Sequence, residues 1–454
     1  MTINLRIGLA ALGLLTISLA QTANAEDLLT VYMQAKESDP QISAAEAGYL
    51  ATLEKRPQAL AALRPSVKLS GSSSYTLSQS WTNFSDTGAG LANSAYSLSL
   101  TKPLYRRQIN EQIAQTDIVI AQAQESLLAQ QQNLISRVAE AYFSYLNARD
   151  SAEFSRSEAV AIERQYNQVK AYFEAGRSAI TDVKESQARY DEARANVALA
   201  DQNVEIALES LQTLTGRYYK ILRGASDNTP LVVPAPKDIK AWTDAALQNN
   251  KSIKVAQYAV EIAQKSVDIA RAGKKPTLDF FANHDGSISR GKNTSDSESV
   301  SASLGIQFSM SLYDAGNADA AIREARYNFH KALQELESSK RTATQSVRTY
   351  YLNIITGLSQ LQALKRSLES NEVADKATQE GFRVGTRTAV DVLNSLRGTY
   401  SAQRNYSSAR YTFLLNTIRL KQAAGTLSEQ DLASLSRILN RSSSTTFAPL
   451  KPAE

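Results

Sequence analysis

The chain contains no cysteine. That excludes disulfides, thiol catalysis, zinc–thiolate sites and the lipidated N-terminal cysteine of a bacterial lipoprotein. Histidine is nearly as scarce. Only His284 and His330 offer imidazole, one in a strand pattern and one in a helical pattern. Isolated in this way, they read as surface or packing residues, so no metal and no cofactor is expected. Beyond the first 25 residues there is no run of about 18 apolar residues. The remaining chain therefore has no helical way across a bilayer and could span one only as strands. Neither charge sign dominates: 50 basic and 45 acidic side chains leave +5, and both are interspersed along helical patterns. Such mixing marks solvated helix faces with i,i+4 pairs, not a nucleic-acid stripe. No nucleophile elbow, phosphate-binding glycine loop or metal-ligand spacing occurs in a supporting context, which argues against an enzyme.

What the chain does have is a duplication. Pro65, Tyr105, Gly176 and Asp182 recur as Pro276, Tyr313, Gly385 and Asp391, at offsets of 211, 208, 209 and 209. A constant offset of this kind signals two copies of one unit. Residues 1–25 read as a signal peptide, with Arg6, an apolar stretch and an Ala23-Asn24-Ala25 site. Residues 26–221 form the first repeat, 222–240 a Pro-rich link, 241–436 the second repeat, and 437–454 a flexible tail without periodicity.

Each repeat opens on a helical pattern. In the first, Asp39-Pro40 places an acidic cap before a proline at the first helical position; in the second, Asn250 takes the capping role. The period then switches from 3.6 to 2. Strands are expected at about 66–81, 94–105, 277–288 and 299–313. In the fourth, Val300, Ala302, Leu304, Ile306, Phe308, Met310 and Leu312 alternate with serine, glycine and glutamine. A soluble sandwich would also alternate. A polar face of serine rather than long charged groups, on strands of about a dozen residues, suits a tilted bilayer crossing beside a wet lumen. Four strands cannot close a barrel, so chains must pool them, two giving eight or three giving twelve. Segments 82–93 and 290–298, rich in Gly, Ser, Asn and Asp, are expected as turns.

Long helical patterns follow at about 106–174 and 315–383, neither containing proline. Each turns at a glycine, Gly176 or Gly385, and returns as an αα-hairpin to about Leu214 or Ala424. Tyr142, Tyr145, Tyr350 and Tyr351 read as packing side chains. From the residues alone, the two glycines make left-handed turns and the neighbouring charges are solvated hairpin tips.

Taken together, the two helix-strand-strand-helix halves, Pro103-Leu104-Tyr105 and its counterpart at 311–316, and the paired turns at 176–183 and 385–392 resemble the TolC-like outer membrane factors. The resemblance covers nearly all of the chain after the signal. It implies an α+β membrane protein: a homotrimer whose twelve strands, four per chain, form one outer-membrane β-barrel that continues into a long periplasmic α-helical barrel. The implied function is a passive exit duct for drugs, amphiphiles or secreted proteins. It would be joined to a periplasmic adaptor and an inner-membrane pump of the RND or ABC type, in contact with outer-membrane lipid. Thr181 and Asp182 match positions that latch the closed periplasmic end, Arg387 matches the arginine that bonds to them, and Asp391 matches a constriction carboxylate. Two departures follow from the same matching: a latch tyrosine falls at Phe382 and a second constriction aspartate at Asn394. Both imply a less tightly latched, less cation-selective mouth. The competing reading is a periplasmic coiled-coil adaptor or scaffold, which fractionation with the soluble or inner-membrane material would reveal.

Overall fold

The computed structural model describes residues 26–82, 85–219, 222–224, 231–292 and 296–442. The expected signal peptide lies outside the described residues. The first half runs α1 (Leu28–Ser38), α2 (Pro40–Leu53), α3 (Lys55–Ala61), β1 (Ser66–Thr82), β2 (Ser85–Arg106), α4 (Arg107–Glu174) and α5 (Ile180–Thr215). The second half repeats this order with α6 (Ile239–Asn249), α7 (Lys251–Ala272), β3 (Thr277–Lys292), β4 (Ser297–Ser309), α8 (Asn317–Arg383) and α9 (Ala389–Ala423), and α10 (Glu429–Ser442) follows. The caps are those the sequence indicated. Asp39 accepts from the Gln41 N–H at 3.2 Å with Pro40 at the first position, and Asn250 accepts from the Ile253 N–H at 3.2 Å. With no proline to break it, α4 continues for 68 residues, about 100 Å.

The strands form one antiparallel sheet in the order β1-β2-β3-β4. Its register places Leu69, Leu98, His284 and Ala302 in one row, and residues two apart along each strand join the same face. That face is apolar and open: Leu69 is 72% exposed and Leu304 79%. Water would oppose so large a patch, whereas hydrocarbon covers it without cost. The opposite face carries the row Ser70, Ser97, Asp285 and Ser301. On the apolar face the Tyr96 ring lies over Gly286, filling the space a side chain would take.

Three strand boundaries differ from the sequence expectation. The expected turn at 82–93 is largely strand, because pairing continues to Thr82↔Ser85. β3 likewise extends to Lys292 and β4 begins at Ser297, shortening the turn expected at 290–298. A continuous ladder satisfies the backbone whatever turn-forming residues the strand contains. At the other end β4 stops at Ser309, short of Met310–Tyr313. The last pair is Thr277↔Ser309, and the next partner would be Pro276, which has no N–H to donate. Asp314 then starts α8 by accepting from the Gly316 and Ala318 N–H groups at 3.0 and 2.8 Å.

Below the sheet the helices form a wall. Near the strands its order is α2/α3, α4, α7, α8; toward the hairpin turns it is α5, α4, α9, α8. The α4–α7 seam is held by Lys251–Glu125 at 2.9 Å and Lys265–Glu111 at 3.0 Å. The α4–α9 seam is held by Arg419–Glu140 at 2.9 Å and Arg404–Glu158 at 2.7 Å, and by Asp150, which accepts from Ser407 and Tyr411 at 2.9 and 2.7 Å. Burial and the adjacent Asp150 carboxylate hold the Tyr411 hydroxyl well above its ordinary pKa, so it stays a donor.

The main core sits midway along the wall, where α1 packs on α4 and α5 and α10 packs on α1. Leu28, Val31, Leu134, Tyr142, Leu146, Leu211, Leu432 and Leu439 are buried there. Tyr142 and Tyr145 are packing residues, as expected. The tail expectation needs correction: α10 continues through Ser442, with Leu432, Ser436 and Leu439 on its buried face. Its helical period is diluted by serines, which hid it; residues 443–454 lie outside the described ones. The start of the Pro-rich link is also tied down. Leu222 is buried, and the Tyr142 hydroxyl donates to the Arg223 carbonyl at 2.6 Å.

Candidate functional site

Two hairpin turns end the wall, and their chemistry is nearly the same. At the first, Gly176 has φ +71°, its N–H donates to the Phe173 carbonyl at 2.9 Å, and the Arg177 N–H reaches back to Tyr172 O at 2.7 Å. At the second, Gly385 has φ +84°, donates to Phe382 O at 3.1 Å, and the Thr386 N–H reaches Gly381 O at 2.8 Å. Both are Schellman closures, which place a glycine at the left-handed position and satisfy the last carbonyls of α4 and α8.

Each return helix begins on a carboxylate. Asp182 accepts from the Ser178 hydroxyl at 2.8 Å and from the Ala179 N–H at 3.4 Å. Asp391 accepts from the Thr388 N–H at 2.9 Å, while Thr388 Oγ1 accepts from the Asp391 N–H at 3.1 Å, a complete capping box. These bonds from the Thr388 backbone and side chain, aided by the Arg387 charge, hold the Asp391 carboxyl below the usual aspartate range. Asp391 is therefore ionised at neutral pH.

The two tips are packed together. The Phe382 ring lies 5.8 Å from that of Tyr172, and Val169, Val183 and Ala389 bury one another beneath them. The Arg177 guanidinium stacks over the Tyr172 ring at 4.8 Å. Thr181, Arg387 and Asn394 are exposed, and Asp182 and Asp391 are half-buried. Among the described residues, Arg387 has no side-chain hydrogen bond or ion pair with Asp182 or Thr181 in the same chain. One turn above the tip cluster the seam weakens: Gln165 Nε2 and Ser186 Oγ are buried without a partner. Tyr172, Arg177 and Thr388 are contributors that the sequence reading missed. Thr388 had a detectable signal, because Thr-x-x-Asp before an apolar run is a capping pattern.

The repeated half and its four-stranded sheet have a counterpart among known proteins. Over residues 31–217, and again over 242–426, the chain matches the family described as outer membrane efflux protein. It belongs to that family. It is 35% identical over 427 residues to the outer membrane protein TolC of Vibrio cholerae serotype O1, covering 93% of this chain and 95% of that one. With the TolC of Escherichia coli K12 the identity is 32%, covering 98% and 92% of the two chains. With the alkaline protease secretion protein AprF of Pseudomonas aeruginosa it is 30%, covering 92% and 89%. Among solved structures, the CusC channel superimposes with a TM-score of 0.74 at 18% identity, over 90% of this chain and 95% of that one. The Campylobacter jejuni CmeC outer membrane channel gives 0.72 at 15% identity, over 96% and 98%.

The chain is thus an outer-membrane exit duct for efflux and secretion, with its helices extending into the periplasm. The twin family match restates the duplication, since 242 − 31 = 211 and 426 − 217 = 209. The fold is that of these outer-membrane channels, a four-stranded antiparallel sheet continued by long helices, and the adaptor reading is set aside.

Proposed function

We propose that the duct conducts passively, performs no chemistry, and is gated at the hairpin tips by Asp391, Arg387, Asp182 and Thr181. It would connect a periplasmic adaptor and an inner-membrane pump of the RND or ABC type to the exterior. The observation that carries this reading is that, among the described residues, the sheet ends on two edge strands, β1 and β4, and the wall ends on α2/α3 and α8 near the strands and on α5 and α8 toward the turns. Head-to-tail joining of such flanks closes a ring, and three four-stranded sheets make twelve strands with no edge left in hydrocarbon. The cargo would include drugs, amphiphiles and, as the similarity to a protease secretion protein suggests, secreted proteins.

In the ring, the exposed Arg387 of one copy would reach Asp182 and Thr181 of its neighbour, to which it makes no bond within its own chain among the described residues. Three Asp391 carboxylates would meet near the axis and attract cations. Phe382 contributes ring packing against Tyr172 in place of a hydroxyl bond, worth about 1 kcal/mol per subunit, and Asn394 removes one charge per copy. Both favour an easily opened mouth. Arg387→Ser is expected to raise single-channel conductance severalfold without changing the trimer's mass. Unchanged conductance would remove Arg387 from the gate.

A further inference from the structure

We infer that Asp314 of one copy forms an ion pair with Lys68 of the next, a charge-reversed counterpart of the Arg106–Asp279 pair inside the chain, and that this pair sets the register in which β4 meets the neighbouring β1. The inference rests on the ring proposed above and adds the residues that lock it.

The Arg106–Asp279 pair joins β2 to β3 where strand gives way to helix. Arg106 Nε donates to Asp279 Oδ1 at 2.8 Å and Nη2 to Oδ2 at 2.6 Å, a two-pronged contact. β2 reaches this point by running past β1. The last β1–β2 pair is Ser66↔Thr101, and beyond it the chain from Lys102 to Arg106 pairs with β3 alone.

The duplication maps each part of this junction onto the open edges of the sheet. The offset of 211 that carries Pro65 to Pro276 also carries Lys68 to Asp279, and the offset of 208 that carries Tyr105 to Tyr313 also carries Arg106 to Asp314. Ser66↔Thr101 likewise becomes Thr277↔Ser309, the last pair of β3 with β4. Met310 to Asp314 are therefore the counterpart of Lys102 to Arg106. Their partner strand corresponds to β1, and because β1 and β4 are opposite edges of one sheet, it belongs to another copy. This accounts for the alternation that continues past the end of β4, and for Leu312 and Tyr313 standing 89% and 88% exposed.

Within the chain the β2–β3 register contains Thr101↔Phe281, Lys102↔Phe280 and Tyr105↔Leu278. Transferred by the same offsets, it gives Ser309↔Ser70, Met310↔Leu69 and Tyr313↔Val67 between copies. The faces agree, serine opposite serine on the polar side and Met310 against Leu69 on the apolar side. Lys68 and Asp314 then stand as Asp279 and Arg106 do, with the signs exchanged. Each pair has one long basic and one short acidic side chain, so the same span is closed from the other strand. Lys68 is exposed on the serine face and has no side-chain hydrogen bond or ion pair among the described residues. Asp314 has no ion pair there either. Its two oxygens each accept one backbone N–H, which leaves lone pairs on both for an ammonium group. A slip of two residues would preserve the faces but part the charges, so the pair selects among registers that alternation alone permits.

Because the chain has no cysteine, introduced ones report the contact directly. In the full mature protein in detergent, Ser309→Cys with Ser70→Cys should oxidise to a covalent ring of three on a denaturing gel. Ser309→Cys with Ser72→Cys, one slip away, should give about a tenth as much or less. Within one chain either pair of sites is three strand spacings apart, about 14 Å, beyond disulfide reach. Lys68→Glu leaves the Asp314 cap untouched and should lower the trimer fraction, read by light scattering at about 0.1 M salt, by about tenfold or more, since three like-charged contacts act together. Adding Asp314→Asn, which still accepts from the Gly316 N–H, should return the fraction to within about threefold of wild type. A trimer that cross-links through Ser72→Cys instead, or through neither site, would overturn the register. A loss in Lys68→Glu that Asp314→Asn does not relieve would overturn the pair. Either result leaves the ring standing, whereas a monomeric wild type would overturn both. Equal helix content by circular dichroism separates lost docking from lost folding.

Discussion

Gly425→Ala is expected to destabilise the protein by about 3 kcal/mol or more, the sum of a left-handed backbone cost and an overpacking cost. Gly425 closes α9 with φ +72°, its N–H donating to Gln422 O and the Thr426 N–H to Lys421 O, each at 2.9 Å. A Cβ there would lie 2.3 Å from Asn249 O and 2.6 Å from Asn250 N. These atoms belong to the α6–α7 junction, which cannot yield by a side-chain rotation. The same junction is tied to α9 by the Asn250 side-chain amide, which donates to Ala423 O at 2.8 Å. Gly176→Ala is the control. Its φ is +71° but nothing lies within 4 Å of the added Cβ, so only the backbone cost of about 1 kcal/mol applies. Thermal dissociation of the trimer should therefore shift strongly for Gly425→Ala and slightly for Gly176→Ala. Equal shifts would show that the Asn249 backbone contact is not what fixes this junction.

Asp391→Asn is expected to remove most of the channel's cation preference while leaving its helices intact. Asparagine can still accept from the Thr388 N–H, so the capping box at the start of α9 survives. What disappears, in the proposed ring, is three negative charges around the axis. At about 8 Å in a water-like medium they attract a cation by about 1.5 kcal/mol, and about half of that remains at 0.1 M salt. The permeability ratio should then fall by about threefold, measured as a reversal potential under a salt gradient. A ratio unchanged in the variant would place the selective charges elsewhere, for instance on the serine-lined face that carries Asp285.

Much of the architecture was legible because it is written in period and punctuation. The Asp39-Pro40 and Asn250 caps, the proline-free lengths of α4 and α8, and the strand starts at Ser66 and Thr277 all depend on local chemistry. Where the reading went astray, distant partners decided the outcome. Residues 85–93 carry turn-forming types, yet they continue β2 because β1 lies alongside. Met310 to Tyr313 keep the alternation, yet lose their partner at Pro276. At the tips, the glycines and aspartates were visible as a repeated pattern. The ring contact between Tyr172 and Phe382, some 210 residues apart, was not, since nothing local in either hairpin announces the other.

The most direct test of an exit duct gated at its periplasmic tips is planar-bilayer conductance of the detergent-purified mature protein, with its mass determined in the same preparation. The account predicts a trimer that inserts spontaneously and passes small, cation-preferring currents. A chain that stays monomeric and soluble without detergent and conducts nothing would contradict it.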